Sequence, residues 1–405
     1  MSEKLTFSWR DVPRAAKLGF SAKKIALMVI GMFVATIVYA LFEYLALLSC
    51  GKTLSEIWHA YRFVPFPFGE NFYGSWTVLG KILHFVAIFL ATIVMILTGV
   101  AVSKVTYEQL KGDEFYEMSK AIKFALKEGR AAVFAPITLI LMILAIIFVG
   151  VILGLIGKIP YLGEIFLLLS SVPAFFGVIL IVYLAFSFVL SLFISAPIVA
   201  TTKSDTFDTL FEVFSTLNSQ NWRFVIYEVI LGIVEFIAVS IWIFAIGRAL
   251  WIAEAVLGHP WLMGTKYLNL ERIAHYYLSV PPIFNTPFAQ KVLDILKVSS
   301  ITSPPSFLPS VNIVMLIVGF IFGIMLYAIV FMALGYGGAM FWSGNTLIYI
   351  VLTKKKDDID LLERKEEEEI SLEYEESEKE EKKEEETSEE KVEKAESQQD
   401  EQQKE

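Results

Sequence analysis

The sequence predicts an all-α, polytopic integral membrane helix bundle of about six transmembrane helices, with interfacial amphipathic helices and a disordered, charged C-terminal tail. Three observations carry this expectation. Of the 405 residues 56% are hydrophobic, with a mean hydropathy of +0.60, which ordinary soluble domains do not show. Apolar runs of about 20 residues, enough to cross a hydrocarbon layer of about 30 Å as helix, recur through the chain up to Thr353. Charge is segregated: the segment 354–405 holds 11 basic and 24 acidic residues, so the net −9 divides into +4 for the body and −13 for the tail.

The spans follow in order. The first runs from Ile25 to Ser49, the second from Val78 to Val102 and the third from Ala131 to Ile156. The stretch from Ile165 to Thr202 is too long for one straight crossing. Ser171-Val172-Pro173 reads as a cap followed by an early-turn proline, so the fourth span starts near Val172, leaving 164–170 as an outer interfacial or re-entrant piece. The fifth extends from Phe224 to Val256 and the sixth from Val311 to Leu334. Apolar character then continues through Gly335-Tyr336-Gly337-Gly338 to Leu352, and an unbroken helix from Val311 would be about 63 Å long. Two paths are open: the glycines break the helix and Ala339–Leu352 lies along the inner surface, or the two parts form a hairpin. The short second part and the lysines after it favour the break.

Orientation follows from the basic residues. Lys4, Arg10, Arg14, Lys17, Lys23 and Lys24 precede the first span, the loop from Ser103 to Arg130 carries six more, and Lys354-Lys355-Lys356 closes the last. Six spans with both termini in the cytoplasm place all of these on one side. The basic segment 1–24 is then cytoplasmic, 25–353 is the membrane domain, and 257–310 is an outer loop. That loop, with Trp261, Tyr267, Tyr276, Tyr277 and the pairs Pro281-Pro282 and Pro304-Pro305, is a cap on headgroups or a lid. The single Cys50 excludes an intrachain disulfide, and the apolar stretch before it is too long for a lipoprotein signal, so it reads as an unmodified helix-end cysteine.

Two inner loops look alike. Asp113 is placed to cap a helix with Phe115, Met118, Ile122 and Ala125 at helical spacing, ending at Gly129-Arg130. Asp205, 92 positions on, is placed to cap a helix with Phe207, Leu210, Phe211, Phe214 and Leu217 on one stripe, ending at Asn221-Trp222-Arg223. Arg130, Trp222, Arg223, Phe207, Phe211 and Phe214 are thus candidate interfacial anchors. The two units, 78–156 and 172–256, suggest a parallel internal duplication; the alternative is that amphipathic connectors simply recur near the inner face.

The run from Phe207-Asp208-Thr209-Leu210-Phe211 to Asn221-Trp222-Arg223, between two spans, resembles the membrane domain of bacterial glycerophosphoryl diester phosphodiesterases. The closing Phe341-Trp342-Ser343-Gly344-Asn345-Thr346-Leu347-Ile348-Tyr349 is similar to uncharacterised bacterial multi-span proteins. The resemblance implies a bacterial inner-membrane helical domain. The chain has no soluble catalytic domain, so the hydrolytic activity is not implied.

Enzyme signatures are missing. His59, His84, His259 and His275 are scattered, with no metal-ligand spacing, and no phosphate loop, nucleophile elbow or zinc-protease motif occurs. The expectation is no enzyme, no metal and no cofactor. Glu70 and His84 could meet in the outer region as a catalytic pair but read equally well as solvated loop and interface groups, and Lys81 and His84 read as snorkelling residues.

Intramembrane charge is the better lead. Glu228 and Glu235 lie seven residues apart on one face of the fifth span, with Glu235 about 18 Å from Arg223 and so near mid-bilayer. Arg248, about 20 Å further and turned by about 220°, is no same-helix partner and belongs at the outer interface with Trp251 and Glu254. The two glutamates are a candidate proton, cation or headgroup site. As packing groups, they would be reached from Ser187, Ser191, Tyr227 or Ser240.

The tail cannot bury a core and suits a basic cytoplasmic partner or simple solvation. The functional expectation is a non-enzymatic inner-membrane protein that organises or binds lipids and partner proteins, as a homo-oligomer or a membrane-complex subunit, with no nucleic-acid role. The alternative is a small-solute or lipid transporter built around Glu235.

Overall fold

The structure, a computed structural model, describes residues 5–67, 76–277, 287, 290–291 and 311–363. The chain divides into Met1–Ile359 and Asp360–Glu405. In the second unit the described part is a turn, in which Leu362 N–H donates to Asp360 Oδ1 at 3.0 Å. Glu70, both proline pairs and the tail beyond Glu363 lie outside the described residues.

The first unit is helical. After a 3-10 turn at Trp9–Arg14 come α1 (Ala15–Gly19), α2 (Ala22–Ser49), α3 (Leu54–Tyr61), α4 (Val78–Lys111), α5 (Met118–Glu128), α6 (Arg130–Ile156), α7 (Leu162–Thr202), α8 (Thr206–Leu257), α9 (Thr265–Tyr277) and α10 (Ile313–Asp357). Among the described residues six helical stretches are long and apolar enough to cross a membrane: α2, α4, the α5–α6 pair, α7, α8 and α10. Helix satisfies every backbone group within its own segment, which hydrocarbon demands. Starts are capped by polar side chains: Thr77 Oγ1 accepts from Gly80 N–H, Asp205 Oδ1 from Phe207 and Asp208, and Asn312 Oδ1 from Met315. Gly112, in left-handed conformation at φ 111°, ends α4.

The core lies at the end of the bundle where α2 begins and α10 ends, called here the near end. Val100–Val102 of α4, Ala131 and Ala132 of α6, Ala196 and Val199 of α7, Ala339 and Trp342 of α10, and Leu27 and Met28 of α2 form one buried cluster, roofed by Ala121 and Ala125 of α5. Small residues bring backbones together there. A Cβ on Gly31 would stand 2.2 Å from Thr98 Oγ1, so only glycine lets α2 lie this close to α4.

The far halves are different. No residue of α6 from Ile140 to Ile156, and none of α7 from Glu164 to Tyr183, is buried.

Several expectations need correction. Helix α10 does not break at its glycines; it continues to Asp357, and Ala339–Leu352 is its most enclosed part rather than a surface segment. The reason is packing: α10 lies against α1, α2, α4, α7, α8 and α9, and a helix apolar all round belongs inside. The fourth span runs unbroken from Leu162, with Pro173 inside it rather than at its start. Proline is tolerated in membrane helices where a soluble helix would end. Asp113 caps no helix: it accepts from Phe115 N–H in the preceding turn, Phe115 is 85% exposed, and α5 starts only at Met118. The amphipathic segment after Asp205 is joined to the fifth span in α8, across a kink at Gln220 (φ −132°, ψ 20°). Within the basic segment 1–24, residues 9–19 are ordered as a 3-10 turn and α1. They pack on α8 and α10 with Asp11, Val12 and Ala15 buried.

Candidate functional site

The charged groups that the spans carry fall into two sets. The first is paired. Glu43 lies on α2 six residues before its end, fully buried, and its carboxylate faces His84 of α4, with Nδ1 at 2.8 and 3.1 Å from the two oxygens. The Trp76 ring meets the imidazole edge-on at 5.5 Å. One turn back on α2, Tyr39 stacks on Phe66 at 5.9 Å, and its buried hydroxyl has no hydrogen-bond partner among the described residues. Val64, Phe42, Phe63 and Ala87 complete the surroundings. The expectation that His84 snorkels is overturned: it is 2% exposed and turned inward, because a buried carboxylate needs a charged or hydrogen-bonding partner. Glu43 escaped the sequence reading. Its one visible signal was an acidic residue inside an apolar run.

Other buried charges are also satisfied. Lys24 Nζ donates to Leu18 O at 2.9 Å and Ser343 Oγ at 3.4 Å, and Ser343 in turn meets Thr106 Oγ1 at 2.9 Å, which links α2, α10 and α4. Glu212 Oε1 accepts from Lys356 Nζ at 2.6 Å and from the Tyr349 hydroxyl at 3.2 Å, clamping the start of α8 to the end of α10.

The second set is open. Glu228, Glu235 and Trp242 occupy one stripe of α8 at intervals of seven residues, and all three are half-buried. Glu228 Oε1 and Trp242 Nε1 are buried without a hydrogen-bond partner among the described residues. Across from the stripe lie Gly337 and Tyr336 of α10. A Cβ on Gly337 would be 3.4 Å from Val239 Cγ2 and 3.8 Å from Glu235 Oε1, so α10 lies within van der Waals reach of the stripe there. Tyr336 and Phe20 close the far side of the stripe with Trp242, their ring centroids 5.2–6.0 Å apart.

The candidate anchors are placed as follows. Arg130 and Trp222 are exposed; Arg223 lies over the Trp222 ring at 4.9 Å and donates to Gln220 Oε1 at 2.7 Å. Phe207 and Phe211 face outward with their rings 5.2 Å apart, whereas Phe214 stacks on Tyr183 of α7 at 5.8 Å. The buried face of that segment is Thr209, Leu210, Val213 and Thr216. Arg248 stands over Phe244 and Trp251, each at 5.5 Å. Among the described residues no group of three or more His, Cys, Asp or Glu side chains is arranged to hold a metal ion.

No family model, curated protein or solved structure matches the chain. Function therefore rests on the geometry. That geometry is of an integral membrane protein with six candidate spans.

Proposed function

We propose that this chain is a non-enzymatic membrane protein that binds lipids and organises partners or further copies of itself along its unpacked spans. One observation carries the reading. From Ile140 to Ile156 and from Glu164 to Tyr183 the α6–α7 hairpin is apolar and touches little besides itself, with Phe148, Leu168, Phe175 and Phe176 each more than 60% exposed. A protein domain that large and that apolar needs a nonaqueous neighbour, either acyl chains or another helix surface. The outward Phe207–Phe211 pair and, separately, the exposed Trp222 with Arg223 over its ring supply anchors of the kind that sit at headgroup level. The clustering of Lys23, Lys111, Lys123, Arg130, Lys203 and Lys355 at the near end supports a cytoplasmic position for that end, in a bacterial inner membrane.

Native mass spectrometry of the detergent-extracted protein tests this. Retained phospholipid or a second copy is expected, and both should fall when Leu168 and Phe175 are changed to Ser. A bare monomer, indifferent to those substitutions, would overturn the reading.

The second reading is transport through the α8–α10 seam, favoured by the unpartnered Glu228 carboxyl oxygen. There, Glu235→Gln should abolish pH-coupled flux in proteoliposomes.

A further inference from the structure

We propose that Tyr39, Glu43 and His84 form a proton-sensitive latch at the far ends of α2 and α4, closed while the Glu43–His84 pair carries one proton and opened when it carries none or two. Three observations converge. First, burial is complete: Glu43 is 0% and His84 2% exposed, so neither group has water to offset a change in its charge. Second, the contact is tight, with Nδ1 at 2.8 and 3.1 Å from the two carboxylate oxygens, and a proton is a ligand that needs no cavity. Third, the carboxyl group has a second partner in reserve. Tyr39 is 9% exposed and lies four residues before Glu43 on the same face of α2, and its buried hydroxyl has no hydrogen-bond partner among the described residues.

The charge count sets the sign. With one proton the pair is neutral as a whole, whichever partner holds it. Without that proton a net negative charge is left in the junction, and with a second proton a net positive one. Either is costly at low dielectric, so a change of pH in either direction favours parting the helices. A phenolic hydroxyl donates to a carboxylate and accepts from a carboxylic acid, so Tyr39 takes Glu43 in both cases once His84 has left. The bistable element is thus the Glu43 side chain, bonded across to α4 or back along α2. Protons reach it from the far side: Glu43 is six residues before the end of α2 and His84 six after the start of α4, each about 9 Å of helix from the rim.

Other titratable groups near the pair are few among the described residues. On α10, which packs on both helices, no Asp, Glu, Lys, Arg or His occurs between Ile313 and Thr353. On α3, Glu56 is bonded to Thr53, and His59 is exposed. Arg62 donates to the Trp58 carbonyl at 2.9 Å and lies over the Tyr276 ring at 4.0 Å, and the Tyr44 hydroxyl is bonded to the Arg62 carbonyl. On α4 itself Lys81, half-exposed, precedes His84 by three residues. Helices α5, α6 and α7 meet α4 in the near-end core.

The test is hydrogen exchange, read by mass spectrometry on the full chain in phosphatidylcholine nanodiscs, scanned from about pH 4 to 9 and corrected for intrinsic rates. Protection over 36–47 and 80–91 is expected to peak at an intermediate pH and to fall on both sides. The fall is up to about tenfold per pH unit, as transfer of one proton requires, while protection over 99–107 in the near-end core stays level. Glu43→Leu with His84→Leu keeps an apolar contact and should give a level profile. Tyr39→Phe removes the second partner and should flatten both flanks. A level profile in the unaltered protein, an equal fall in the near-end core, or the same peak in the double Leu variant overturns the proposal. So does an unchanged profile in Tyr39→Phe. The scan of the unaltered protein needs no variant, so misfolding cannot mask the answer.

Discussion

Glu43 and Glu235 are the same residue type in two helices of one bundle, and the structure treats them in opposite ways. Glu43 is sealed between α2 and α4 and bonded to His84, whereas Glu235 lies half-buried opposite Gly337 of α10. The difference separates two meanings of an acidic residue in a span. Where the fold supplies the partner, the charge fixes how two helices meet. Where it does not, the carboxyl group stays half-exposed along its helix.

The comparison breaks first at His84. Replacing it with Ala leaves Glu43 buried and alone, and should cost about 3–5 kcal/mol in denaturant titration of the micellar protein. Replacing Glu43 and His84 together with Leu should recover most of that, because the buried pair is costly to desolvate. An equal loss in the double variant would mean that the cost lies in losing the pair itself rather than in stranding Glu43.

Lys24→Met comes next. It strands the Leu18 carbonyl and loosens the Ser343–Thr106 link, for an expected loss of about 1–3 kcal/mol in the same titration. By contrast, Glu228→Gln and Glu235→Gln should each change stability by less than about 1 kcal/mol, since neither removes a protein hydrogen bond seen in the structure. A loss as large as that at His84 would place them with the structural set.

The smallest effect belongs to Glu271 on α9, outside the spans. Burial and the neighbouring Glu254 charge push its carboxyl above the usual range. A raised carboxyl favours folding while it is protonated, below its unfolded value, and that contribution is lost as pH rises through its folded value. Hydrogen exchange over 265–277 should therefore quicken as pH climbs through that window, after correction for intrinsic rates. Glu271→Gln should remove the dependence.

Much of this was legible along the chain. Run length alone located the six spans, because the bilayer imposes it. The breaks before Arg130 and Arg223 were marked by Gly129 and by Asn221, and the structure puts a short helix boundary at the first and a kink at Gln220 beside the second. Glu228 and Glu235 were visible as acids in an apolar context. What failed required knowledge of neighbours. Gly335, Gly337 and Gly338 look like a break in isolation, yet in a crowded bundle they are places where other helices come near, as Met28 does at Gly338. The Glu43–His84 pair joins positions 41 apart on different helices, and no local spacing encodes it.

Helix α10 has a consequence for how the protein is made. Synthesis proceeds from the N-terminus, so α2, α4, α7 and α8 enter the bilayer before the rod on which all four rest. Until it arrives, Lys24 lacks Ser343 and Glu212 lacks Lys356. The earlier helices pair among themselves, but α2 and α8 meet chiefly through the last-born member, so a ribosome halted before it leaves those two ends of the assembly untied.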